Sequence, residues 1–150
     1  MKRRILLVDD DVAVLLTLKA VLEMDQFEVH TAASAAEAME KLHSGPYHMV
    51  ITDAHMETED AGFQVIAEAR QQPYHPATAL LTAYPPHQGG WAKQGVQSLL
   101  VQPLGTQDLV RQIESLLVRH EDEKRRLRPT EKSVDRHASA WNREGGRKIS

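Results

Sequence analysis

The sequence predicts an α/β protein, a doubly wound, five-stranded parallel sheet with helices on both faces. Three observations carry that expectation. From residue 4 to about 120, short apolar runs alternate with segments of helical periodicity. No hairpin signal joins one run to the next, so the strands are expected to lie parallel and to be covered on both sides. Two runs close on acids, Ile5-Leu6-Leu7-Val8-Asp9-Asp10-Asp11 and Met49-Val50-Ile51-Thr52-Asp53. Such runs read as buried strands that deliver carboxylates to one edge of a sheet.

Arg4–Val8 is the first strand. Val12, Leu15, Leu16, Leu18, Val21 and Leu22 then recur at helical spacing, with Asp10 or Asp11 placed to cap the start. Phe27–Thr31 alternates as a second strand. Ser34–Leu42 is a helix opened by an N-cap serine and a glutamate three residues on. Tyr47–Thr52 is the third strand, and Gly62–Arg70 the third helix with Phe63, Val65, Ile66 and Ala69 as its apolar positions. Ala77–Thr82 and Ser98–Val101 are strands four and five. Between them, a fourth helical segment at His87–Gln94 carries Gly89-Gly90 and is expected to be short or frayed, since each glycine costs about 1 kcal/mol against alanine in a helix. A fifth helix starts after Gly105, buries Leu109, Ile113, Leu116 and Leu117, and runs as a charged rod to about Arg128.

Charge divides the chain. Residues 1–120 hold a balance of -6 and residues 121–150 one of +3, and the latter are almost devoid of aliphatic side chains. A domain is therefore expected over 1–120, followed by a charged tail over 121–150 that is helical first and disordered beyond Pro129. Trp141 is the one aromatic in that tail, a docking point or simply an exposed ring. No apolar run approaches the roughly 18 residues of a membrane span, and Met1-Lys2-Arg3-Arg4 is followed by too short an apolar stretch for a secretory signal, so a cytoplasmic protein is expected. Cysteine is absent, which excludes disulfides and thiol chemistry. The eight histidines show no metal-binding spacing, and no phosphate-binding glycine loop follows any strand.

In open α/β sheets the functional site lies beyond the carboxyl ends of the strands. There the sequence places Asp9-Asp10-Asp11, Asp53, Thr82 and Gln102-Pro103. If the first and third strands are neighbours, their carboxylates repel one another unless a divalent cation or protons neutralise them. The motifs Leu6-Leu7-Val8-Asp9-Asp10-Asp11, Val50-Ile51-Thr52-Asp53-Ala54-His55-Met56, Leu80-Leu81-Thr82-Ala83-Tyr84 and Gln102-Pro103-Leu104 resemble, in order and spacing, those of the response regulator receiver domain. The resemblance covers roughly residues 3–120 and implies a flavodoxin-like, CheY-like sheet of order 2-1-3-4-5. It implies Asp53 as the phosphoacceptor in two-component signalling, fed by a sensor histidine kinase or a histidine phosphotransfer protein. It implies Mg²⁺ held by Asp10, Asp53 and the backbone carbonyl of His55, with Asp9 acting through a coordinated water. Thr82 would donate its hydroxyl to a phosphoryl oxygen, and small Ala83 would leave access to it. Such a protein signals rather than turns over substrate.

The chain also departs from the family pattern. Gln102 stands where a lysine is expected, and Leu99 where an aromatic is expected. Charge-assisted hydrogen bonds are worth about 1.5–3 kcal/mol and neutral ones about 0.5–1.5, so glutamine is expected to slow transfer roughly tenfold or more. The loop after Asp53 lacks the family's proline at Glu57, is one residue longer before Gly62, and adds Glu57 and Glu59 to an already acidic region. A phosphorylation-independent receiver, acting purely as an interaction module, is the alternative these departures motivate. An aspartyl phosphatase is the remote third, since Ala13 stands where that motif needs threonine or valine. Output is expected through protein–protein contact on the surface of the fourth helix, fifth strand and fifth helix. No helix-turn-helix pattern follows residue 120, so no DNA-binding domain is expected, and homodimer formation is left open.

Overall fold

The structure is a computed structural model that describes residues 2–58, 60–82, 96–101 and 105–127. Five strands, β1 (Arg4–Val8), β2 (Glu28–Ala32), β3 (Met49–Asp53), β4 (Ala77–Thr82) and β5 (Ser98–Val101), form one parallel sheet in the order β2-β1-β3-β4-β5. The described helices are α1 (Val12–Met24), α2 (Ala35–Ser44), α3 (Ala61–Arg70) and α4 (Thr106–Leu127), the last being the fifth helical segment of the sequence pattern. The order 2-1-3-4-5 is the one expected, and its switch point falls between β1 and β3.

Alternation along the strands builds two cores. Ile5, Leu7, Met49, Ile51, Ala79 and Leu81 pack on one face with Leu15 and Leu22 of α1 and with Leu109, Ile113, Leu116 and Leu117 of α4. Leu6, Val8 and Val50 pack on the other with Ala35, Ala38 and Leu42 of α2 and with Ala61, Val65 and Ala69 of α3. Because both faces are covered, β1 and β3 read as continuous apolar runs rather than as alternating ones. Leu99 is half-buried against Ile66 and Leu80, so it serves as packing at the position where the family carries an aromatic.

Element boundaries shift where the chain must turn. β2 begins at Glu28, not Phe27, because Gln26 adopts a left-handed φ of 74° and the Phe27 amide still bonds back to Leu22. β3 begins at Met49: the Tyr47 ring is buried edge-on against His30 and Tyr74 before the ladder starts. α2 continues two residues beyond Leu42, and α3 opens one residue early at Ala61. The Ser34 cap is formed, its hydroxyl accepting from the Glu37 amide at 3.1 Å. The glutamate in turn accepts from the Ala33 amide at 2.9 Å.

Packing groups the chain into two units, Met1–Leu117 and Val118–Ser150. The described part of the second is the end of α4, a charged helix, part exposed and part half-buried, in which Arg125 pairs with Asp122. The fourth helical segment at His87–Gln94, Glu59, Ala83, Gln102 and the tail from residue 128 on, with Trp141, lie outside the described residues. Among the described residues, no helix is long and apolar enough to cross a membrane.

Candidate functional site

β1 and β3 pair side by side, Val8 opposite Thr52, so the residues that follow emerge together at the carboxyl end of the sheet. Asp9 leaves β1 only 7% exposed, its amide bonded to the Ala32 carbonyl and its Oδ1 accepting from the Asp11 amide at 2.9 Å. Asp10 is exposed beside it, and Asp53 is the last residue of β3 and half-buried. Carboxylate oxygens of Asp9, Asp10 and Asp53 all lie within 4.8 Å of one another.

Such crowding has an electrostatic consequence. Burial pushes the Asp9 carboxyl up to about 6, and repulsion from Asp53, Asp10 and Asp11 adds to the shift against the opposing pull of the Asp11 amide. Asp53 is also raised, first by burial and then by Asp10, while the backbone amides of His55 and Ala54 favour its charged form. Hard oxygen donors, converging and only partly enclosed, suit a divalent cation that keeps several waters. The donor set therefore fits Mg²⁺.

The third aspartate of the run does different work. Asp11 caps α1, its carboxylate accepting from the Ala13 amide at 3.0 Å and from the Val14 amide at 3.4 Å. Thr82 ends β4, is buried, and lies one residue beyond Leu81, the register partner of Asp53. His55 is exposed two residues past Asp53, and its ring is not among the clustered ligand atoms. Gln102, expected on the far side of the site, lies outside the described residues.

Three residues support the site in ways that sequence reasoning did not give. Gly62 sits against the backbone of the acidic strand: a Cβ there would stand 2.2 Å from the Asp53 carbonyl oxygen, and its amide donates to the Ala54 carbonyl at 3.1 Å. Thr52 is fully buried and turns its hydroxyl to the Asp53 carbonyl at 3.0 Å. Glu57, read from sequence only as added charge, accepts from the Ala35 amide at 3.0 Å across 22 residues of chain. A glycine at a fixed distance after a strand-end acid is a legible signal; the Glu57 contact has none, because nothing local pairs those positions.

Comparison with known proteins agrees with this geometry. The family model for the response regulator receiver domain matches residues 5–114. The transcriptional regulatory protein GlrR of Escherichia coli K12 is 35% identical over 116 residues, which are 75% of this chain but 26% of GlrR, so the chain spans about a quarter of that regulator. A CheY-like receiver domain protein from Methanospirillum hungatei JF-1 superposes with a TM-score of 0.75 at 25% identity, covering 82% of this chain and 99% of that one. The response regulator TrrA of Thermotoga maritima, solved in complex with Mg²⁺-BeF, superposes with a TM-score of 0.68 at 29% identity over 76% of this chain and 98% of its own. With the match running from inside β1 into α4 and thus spanning the whole described sheet, the chain belongs to the response regulator receiver domain family of two-component signalling.

Proposed function

We propose that the chain accepts a phosphoryl group on Asp53 from a phosphohistidine, in a Mg²⁺-dependent reaction, and passes the signal on by binding a protein partner. The convergence of Asp9, Asp10 and Asp53 within 4.8 Å supports this reading above all else. Of three nearby carboxylates, Asp53 is the nucleophile because it ends the central strand β3, is half-buried, and is oriented by the amides of Ala54 and His55. One of its oxygens attacks phosphorus. The phosphorus–nitrogen bond breaks as the oxygen–phosphorus bond forms, and the imidazole leaves with the electron pair and takes a proton from solvent.

Asp10, Asp53 and the His55 carbonyl would hold Mg²⁺, with Asp9 acting through a coordinated water, as the family pattern implies. When bound, Mg²⁺ supplies the positive charge that offsets the phosphoryl oxygens, which is most of what phosphoryl transfer asks of a protein. By the family pattern the Thr82 hydroxyl would donate to a phosphoryl oxygen, and glutamine at position 102 would offer a neutral amide in place of a lysine. The donor is a sensor histidine kinase or a histidine phosphotransfer protein. Output passes through the surface that includes β5 and α4.

Intact-protein mass after incubation with acetyl phosphate and Mg²⁺, run beside Asp53→Asn, tests this. The expected result is a gain of one phosphoryl group in the wild type and none in the variant. No gain in the wild type, with Mg²⁺ binding intact, would sink the phosphoacceptor reading and favour an interaction module that works without phosphate.

A further inference from the structure

The loop between Asp53 and α3 must hold its shape for the His55 carbonyl to serve a metal, and this chain lacks a proline to stiffen it. Its near end is pinned by the Gly62 amide on the Ala54 carbonyl. Its far end folds on itself, the Met56 amide reaching the Thr58 carbonyl at 3.3 Å and the Thr58 hydroxyl reaching Asp60 at 2.7 Å. Met56 is half-buried against the core beneath α2 and α3. One polar tie leaves the loop altogether: Glu57 accepts from the amide of Ala35, the first residue of α2.

That end of α2 is suited to a carboxylate. The first amides of a helix have no partner within it, and they carry the positive end of the helix dipole. Ser34 satisfies one of them, its hydroxyl accepting from the Glu37 amide, while its carbonyl takes the Ala38 amide as the first bond of the helical ladder. The Ala35 amide is the one Glu57 takes. A charged acceptor here makes a stronger bond than a neutral one, and it joins the loop to an element packed on the sheet through Ala35, Ala38 and Leu42.

We propose that Glu57 is a positioning residue for the metal site, a carboxylate clasp that locks the loop bearing His55 to the start of α2 and so sets Mg²⁺ affinity. This rests on the metal reading given above. Glu57 acts through the backbone two residues before it and touches neither the metal nor the phosphoryl group. The clasp does in this chain, by a long-range hydrogen bond, what a proline ring does locally by fixing φ. It also ties the start of α2 to the state of the metal site, so that metal uptake tightens both ends of one bond.

Calorimetric titration of Mg²⁺ into the full chain and into Glu57→Ala and Glu57→Gln, at constant ionic strength, tests the proposal. Removing groups that orient metal ligands typically weakens binding 10–100-fold, so Glu57→Ala is expected to raise the dissociation constant about tenfold, and Glu57→Gln, which keeps an acceptor, by less than about threefold. Faster amide exchange at Ala35 in the alanine variant alone accompanies the loss. Unchanged affinity in Glu57→Ala overturns the proposal. Equal weakening in both variants overturns it too, since the carboxylate would then act as a distant charge rather than as a clasp. If the wild type takes up no Mg²⁺, the metal reading itself fails, and this role falls with it.

Discussion

Asp9 and Asp11 are two residues apart and work on different problems. The Asp11 carboxylate turns away to cap α1, whereas the Asp9 carboxylate stays buried among like charges, held by the Asp11 amide. Their neighbours matter as much. Gly62 lies so close to the Asp53 and Ala54 backbone that a methyl group cannot be admitted without moving the strand end. Gly62→Ala is expected to destabilise the protein at the upper end of the roughly 1–3 kcal/mol typical of overpacking, read as a lower urea midpoint. It should also depress labelling of Asp53 by acetyl phosphate. A midpoint equal to wild type would show that the loop relaxes where the geometry says it cannot. The candidate residues Asp9, Asp10, Asp53 and Thr82 were legible as strand-end positions because the carboxyl ends of parallel strands all lie along one edge of the sheet.

At the scale of the element, α1 and α2 are each started by a side-chain cap that sequence alone could name. The Asp10–Asp11 ambiguity resolves in favour of Asp11, and this separates cap from metal ligand in a way experiment can follow. Asp11→Ala should cost about 1 kcal/mol in stability while leaving Mg²⁺ binding within a few-fold of wild type. Asp10→Ala should do the reverse, abolishing Mg²⁺ binding with little loss of stability in metal-free buffer. Calorimetry and urea denaturation on the same samples decide it, and loss of Mg²⁺ binding in Asp11→Ala would move that residue into the site. Boundaries were less legible than caps. The offset at β2 follows from a left-handed non-glycine residue at Gln26, and the offset at β3 from Tyr47 being claimed by the ring cluster with His30 and Tyr74. Both are tertiary choices made against local pattern.

For the whole molecule, the acidic edge of the sheet is a standing cost of the metal-free fold. The folded-state pKa of Asp9 is about 6 against an ordinary value of 3.8, so the folded state binds its proton more tightly than the unfolded chain does. Its contribution is present below about pH 4 and is lost as pH rises through about 6. Metal-free protein should therefore melt lower at pH 7.5 than at pH 5.5, and Asp9→Asn should remove much of that slope and raise stability at pH 7.5 by no more than ~3 kcal/mol. Saturating Mg²⁺ should flatten the slope in the wild type, because a ligand bound only by the folded state stabilises it. Protons and metal compete for the same oxygens, so Mg²⁺ affinity should fall below about pH 6. A wild-type melting profile with the same slope as Asp9→Asn would show that the cluster is not strained.

The sequence by itself determined the α/β class, the five strands, the strand-end acids and the family pattern, because each depends on periodicity or spacing along the chain. Sheet order was what the family resemblance implied, the right-handed rule for crossovers only narrowing the choices. Only the tertiary structure decided which carboxylates meet, since Asp53 approaches Asp9 and Asp10 through the pairing of β1 with β3. It alone showed that Gly62 is pressed against the Asp53 backbone and that Glu57 joins the loop after Asp53 to α2. Contacts of that kind join residues distant in sequence, and their partners are chosen by how helices pack on the sheet rather than by any local preference of the chain.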